Sequence, residues 1–169
     1  MDDLNNLSPE MMRGMLDDFA KNWLAHDGLW FQAVEKAHGI NDAIQFDTEA
    51  WERFTVIEAK RIMARHNIPE NGGLDALKKA LGFRMYALIN DQQVRNETET
   101  SFEFVMLDCR VQSARERKGL MYFPCKSVGV VEYEGFAKTV DPRIKTECIC
   151  APPDPEAGGE FYCGWRFSI

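Results

Sequence analysis

Residues 83–109, FRMYALINDQQVRNETETSFEFVMLDC, decide how this chain is read. Before them, apolar residues recur every three or four positions. Within them, the period falls toward two, the spacing of a strand with one buried face. Phe83 to Gln93 and Ser101 to Cys109 read as two strands, and the polar run Asn96 to Thr100 reads as the turn between them.

Upstream, Ser8-Pro9 is a helix start, with serine at the N-cap and proline at the first helical position. Met12, Met15, Leu16, Phe19, Trp23, Asp27, Trp30 and Val34 then follow helical steps, and His38-Gly39 is a stop. Asn41 or Asp42 can cap a second helix carrying Phe46, Trp51, Phe54, Ile57, Glu58, Arg61 and Ile62. Ile68-Pro69 and Asn71-Gly72-Gly73 break it. A short helix from Leu74 to Leu81 ends at Gly82.

Downstream, residues 110–118 and Val128 to Val140 read as helices. Ile144 to Cys150 and Phe161 to Ile169 read as strands around the loop APPDPEAGG. The expected fold is α+β: N-terminal helices packed on a C-terminal antiparallel sheet of about four strands, in the order hairpin, helices, hairpin. The chain reads as a single domain over 1–169, with a helical part (1–82) and a mixed part (83–169).

The 169 residues are 45% hydrophobic and 28% charged, with a net charge of −7. That is an ordinary globular composition. An acidic balance opposes a nucleic-acid or anionic-membrane surface, and the basic run Arg110 to Lys118 reads as a solvated helix face. The acidic opening MDDLNN lacks the basic region of a secretory leader, and no segment approaches the roughly 20 apolar residues of a membrane span. The expected location is therefore cytoplasmic, where structural disulfides are rare.

Five cysteines, an odd number, lie at Cys109, Cys125, Cys148, Cys150 and Cys163. Cys148 and Cys150 are two apart in a strand and share a face. In a terminal hairpin, Cys163 would sit across from one of them. Three readings compete. The thiols are small core residues; or Cys125, Cys148, Cys150 and Cys163 hold a metal, zinc first among the zinc, Cu(I) or iron–sulfur centres that thiolates take; or one of Cys125, Cys148 and Cys163 is a nucleophile. No C-x-x-C is present, which weakens the metal pattern.

Carboxylates on apolar helix faces are the second lead. Asp27 shares a face with Trp23 and Trp30, and Glu58 follows Trp51 and Phe54. Each is expensive unless paired, Glu58 with Arg61 or Arg65, or else lines a site as an acid or base. Asp141 is a third candidate acid or base. The aromatic stripe Trp23, Trp30, Phe31, Trp51 and Phe54 reads as core or as the wall of a cavity. His26, His38 and His66 read as capping or surface residues.

The phrases DGLWF (27–31), E-x-W-x-R-F-x-x-I-E-A-x-R (49–61), C-R-x-Q-x-A-R-x-R-K-G (109–119), FPCK (123–126), DPRIK-x-x-C (141–148) and CAPPDP (150–155) together resemble a family of bacterial and archaeal proteins labelled "cytosolic protein". The chain end more remotely resembles L-2-amino-thiazoline-4-carboxylate hydrolase-like proteins and the 4-vinyl reductase small-molecule-binding domain, through Glu147, Cys148 and Cys163. The resemblance implies helices before an antiparallel sheet, with a ligand pocket between them. The expected activity is binding of a small molecule or metal at a cysteine-lined site. The alternatives are hydrolysis of a small cyclic amide or amidine-like substrate, and a structural protein with core cysteines. The expected partner is a small-molecule ligand, with neither nucleic acid nor membrane. Dimerisation through apolar helix faces is a further expectation.

Overall fold

The computed structural model describes residues 4–169, and the opening Met1–Asp3 lies outside them. Helix α1 runs Pro9–His38. It starts as its sequence requires: Ser8 Oγ accepts a hydrogen bond from Met11 N–H at 3.2 Å, and Pro9 needs no partner for a missing donor. Gly39, at φ 92°, ends α1 and at once begins α2, Ile40–His66. The expected cap at Asn41 or Asp42 is therefore not used. A single glycine with left-handed φ reverses the chain without a loop. Asn67 closes α2 in the left-handed region at φ 51°. Helix α3 follows at Gly73–Leu81.

The expected strand over 83–93 is mostly absent. Residues Met85–Leu88 form a 3₁₀ turn, and strand β1 is only Asp91–Arg95. A short apolar run does not declare its period, and here Arg84 turns inward, 2% exposed, to meet two carboxylates. Strand β2 (Ser101–Asp108), helices α4 (Arg110–Arg117) and α5 (Lys126–Val140), and strands β3 (Lys145–Cys150) and β4 (Cys163–Ser168) complete the fold. The four strands form one antiparallel sheet in the order β1-β2-β4-β3. The α+β arrangement of helices first and sheet after is thus the observed one.

Helix α5 is the central element, with two glycines that set its approaches. A Cβ at Gly135 would lie 2.7 Å from Thr55 Cγ2 of α2, and one at Gly129 would lie 2.7 Å from the Trp165 ring on β4. Both contacts need glycine. Thr55 Oγ1 also donates to the Glu132 carbonyl at 2.8 Å, tying α2 to α5. At the α3 end the packing is dry: Leu77, Leu81, Phe102, Phe136, Val140, Ile144 and Phe167 are all buried. Asp141 belongs to that end. It is fully buried and accepts from Gly73 N and from Arg143 N, Nε and Nη2, so it joins the end of α5 to the start of α3. Among the described residues, no helix is long and apolar enough to cross a membrane.

Candidate functional site

At the opposite end of α5 the helices and sheet do not close on one another. A cavity of about 460 Å³ lies between α1, α2, α4, α5 and the sheet. Its apolar walls include Phe31 of α1, Trp51 of α2, Tyr86 of the 3₁₀ turn, Phe123, Val128 of α5 and Met106 of β2. The aromatic stripe read from the sequence supplies part of this wall. Trp23 packs on Trp51, Phe54 and Tyr86, and Phe31 on Phe123, whereas Trp30 points away and is 68% exposed.

Three carboxylates line the cavity: Asp27 of α1, Asp47 of α2 and Glu132 of α5. Glu132 is buried against Arg84, with Nη2 2.6 Å from Oε1, and that oxygen accepts no well-directed hydrogen bond. Arg84 Nε donates to Glu58 Oε2 at 2.9 Å. One guanidinium therefore serves two buried acids. It sits among the rings of Trp51, Tyr86, Tyr133 and Phe136, with centroids 4.9–5.7 Å away. Glu58, expected to pair with Arg61 or Arg65, pairs instead with Arg84, and both of the nearer arginines are exposed.

The charges do not balance. Burial raises the pKa of Asp27, against the pull of His26. Burial raises Asp47 further, to about 7, and the charges of Asp27 and Glu132 add to the rise while Trp51 opposes it. Glu132 is raised by burial, opposed by Arg84. Among the described residues, no basic side chain forms an ion pair with Asp27 or with Asp47. Lys21, Arg110, Arg117 and Lys118 line the mouth and are exposed, so the acidic interior opens through a basic collar. The Arg115 guanidinium binds the Glu35 carboxylate through two bonds, 2.7 and 3.0 Å, and fixes α4 to α1 across that mouth.

The cysteines divide into two groups. Cys109, Cys125 and Cys163 line the cavity. Cys148 and Cys150 do not line it. They turn inward on β3 while Ile149 is exposed, beside the Lys126–Asp154 ion pair. Cys163 pairs with Met106 of β2, while Cys148 and Cys150 face Trp165 and Gly164 across a bulge. The metal tetrad of Cys125, Cys148, Cys150 and Cys163 is thus not brought together. No group of three or more His, Cys, Asp or Glu among the described residues is arranged to hold a metal ion.

Burial works against a nucleophilic role for the thiols. Burial pushes Cys125 up to about 12 and Cys163 well above an ordinary thiol, and Cys148 up to about 11. A reactive cysteine has a lowered pKa. Gln112 holds the segment before Cys125 by a two-sided clasp, donating to the Phe123 carbonyl at 2.8 Å and accepting from Phe123 N–H at 2.9 Å. Of the candidate acids and bases, Asp27 lines the cavity, Glu58 lies behind it on Arg84, and Asp141 stands at the α3 end, bonded to Gly73 and Arg143. Asp141 is held well below the carboxylate range by Arg143.

Asp47, Arg84, Glu132 and Tyr133 are site residues that sequence reasoning missed. Asp47 lies one turn before Trp51, and Glu132 sits inside the apolar run VGVVEYEGF. Both carry the signal that singled out Asp27, a carboxylate on an apolar helix face. Arg84 carried none, because its segment was read as strand.

A model of a family of unknown function, DUF6125, matches residues 5–169, and the chain belongs to that family. A search of curated proteins finds no match.

Proposed function

We propose that this family member binds a small organic molecule carrying a positive charge in the cavity between its helices and its sheet. The observation that carries this reading is the imbalance inside the cavity: Asp27 and Asp47 line it with no basic side chain among the described residues paired to either, and Glu132 shares its arginine with Glu58. Glu132 is buried and Asp27 and Asp47 are half-buried, and carboxylates drawn out of water without counter-charge are costly. A ligand cation lowers that cost, and the rings of Trp51, Tyr86 and Tyr133 add a favourable face to it. The basic collar selects a second feature, an anionic group at the outer end of the ligand.

A tryptophan-fluorescence titration tests this, using benzyltrimethylammonium and its uncharged carbon isostere, neopentylbenzene. The cation is expected to bind at least tenfold more tightly, a difference of about 1.4 kcal/mol, and Asp27→Asn/Asp47→Asn is expected to abolish the preference. Equal binding of the two probes, or binding of neither, overturns the reading.

A second reading is hydrolysis of a small amide or amidine-like substrate, as the remote resemblance implies. One observation favours it: Asp47 titrates at about 7 beside a second carboxylate, Asp27, so the cavity holds a proton donor and acceptor matched to neutral pH. The nucleophile in that case is water, since burial raises the pKa of each candidate thiol. Its signature is turnover that Asp47→Asn removes and Cys125→Ala leaves in place.

A further inference from the structure

Helix α1 is longer than the body that supports it. From Pro9 to Phe19 only Met15 and Asp17 are even partly covered, and Ala20 is the first buried residue. Three turns of helix therefore stand clear of the fold. An isolated helix of this length is marginal in water, and helices are normally held by packing of an apolar face. This one has such a face: Met12, Leu16 and Phe19 recur at four- and three-residue steps and are 45%, 55% and 61% exposed. Trp30 extends the same face along the helix, and Met11 flanks it.

We infer that the projecting part of α1 docks a second copy of this chain, the two helices packing antiparallel about a two-fold axis near Met15 and Leu16. Three features favour this occupant. First, the stripe is complementary to its own reverse: the axis sets Met12 of each copy against Phe19 of the other, and Leu16 against Met15. A two-fold interface needs such self-matching. Second, the charges match. The same axis brings Arg13 of one copy within a turn of Asp17 of the other, and none of the ion pairs among the described residues engages either. Third, the area suffices. Half-exposed side chains of this size offer on the order of 500 Å² of apolar surface per copy. With the flanking polar residues, this approaches the roughly 800 Å² per partner of a standard interface. The acidic flank Glu10, Asp17 and Asp18 disfavours an anionic membrane as the occupant. The inference does not depend on the ligand reading, since these residues lie outside the cavity wall.

Sedimentation velocity on the full chain, from 1 to 100 µM, tests it. The expected species is a dimer of the 19.4 kDa chain, with Leu16→Glu/Phe19→Glu a monomer that still unfolds in one cooperative transition, because both side chains are exposed and lie outside the core. Arg13→Asp and Asp17→Arg are each expected to weaken the dimer severalfold, and the double reversal to restore it. A wild-type monomer at 100 µM overturns the inference. So does a dimer that Leu16→Glu/Phe19→Glu leaves intact. Co-sedimentation of a monomeric wild type with phosphatidylglycerol vesicles would overturn it in favour of a lipid surface.

Discussion

The two ends of α5 are built from the same helix and sheet and solve opposite problems. At the α3 end, Leu77, Phe102, Phe136 and Phe167 fill the space between the layers, and a fully buried carboxylate, Asp141, takes four hydrogen bonds from Gly73 and Arg143. At the other end the layers part, three carboxylates face the gap, and the guanidinium behind Glu132, that of Arg84, is shared between two acids. Asp141 is pulled well below its ordinary pKa, whereas Asp47 is pushed up to about 7. A satisfied buried acid marks structure. An unsatisfied one beside a cavity marks a place kept for something else.

The largest effect that bears on this contrast belongs to Arg84. Arg84→Met should destabilise the protein by about 3–5 kcal/mol, since it leaves Glu58 and Glu132 buried without a counter-charge. Urea denaturation measures it, and a loss under about 1 kcal/mol would mean that the pair is solvated. Next, equal deletions at the two ends should cost unequally. Leu77→Ala removes a fully buried side chain and should cost about 2–5 kcal/mol. Leu24→Ala, at the partly covered cavity wall, should cost about 1 kcal/mol. Similar losses would show that the cavity end packs as tightly as the other.

A smaller effect depends on pH. The folded-state pKa of Asp47 is raised above its unfolded value, so the native state binds more protons between about pH 4 and 7. The contribution of this group to stability is full below pH 4 and is lost as pH rises toward 7. Asp47→Asn should therefore gain on the wild type across that window, by up to about 1.4 kcal/mol per pH unit, the limit for one proton. Parallel stability curves would put Asp47 in water. Smaller still, Arg117→Gln/Lys118→Gln should weaken binding of 4-(trimethylammoniomethyl)benzoate, which carries a carboxylate, by severalfold and leave benzyltrimethylammonium unaffected. Finally, native thiol labelling at pH 8 should be slow at every cysteine, and one rapidly modified thiol would restore the nucleophile reading.

The layered fold was legible because long helices and alternating strands carry strong periods, and because Ser8-Pro9 and Gly39 punctuate them. Residues 84–90 were not legible. Their apolar run suits a strand as well as a turn, and only the distant acids Glu58 and Glu132 decide that Arg84 turns inward. The site was half legible. A carboxylate on an apolar face pointed to Asp27 and Glu58, and the same rule applied to α2 and α5 reaches Asp47 and Glu132. The cysteine spacing misdirected attention. Three of the five thiols do reach the cavity, but as part of its apolar wall, and Cys148 and Cys150 stand apart from it on β3. Sequence separation cannot reveal that β4 inserts between β2 and β3 and gives Cys163 Met106 as its neighbour.

The most direct test of the unpaired acidic wall is the proton count on binding. Calorimetric titration of benzyltrimethylammonium at pH 7, repeated in two buffers of different ionisation enthalpy, reads that count. Net proton release is expected, because a cation beside Asp47 lowers a pKa pushed up to about 7, and Asp47→Asn should abolish the release. Binding that is independent of buffer, or release that survives in Asp47→Asn, would contradict this expectation.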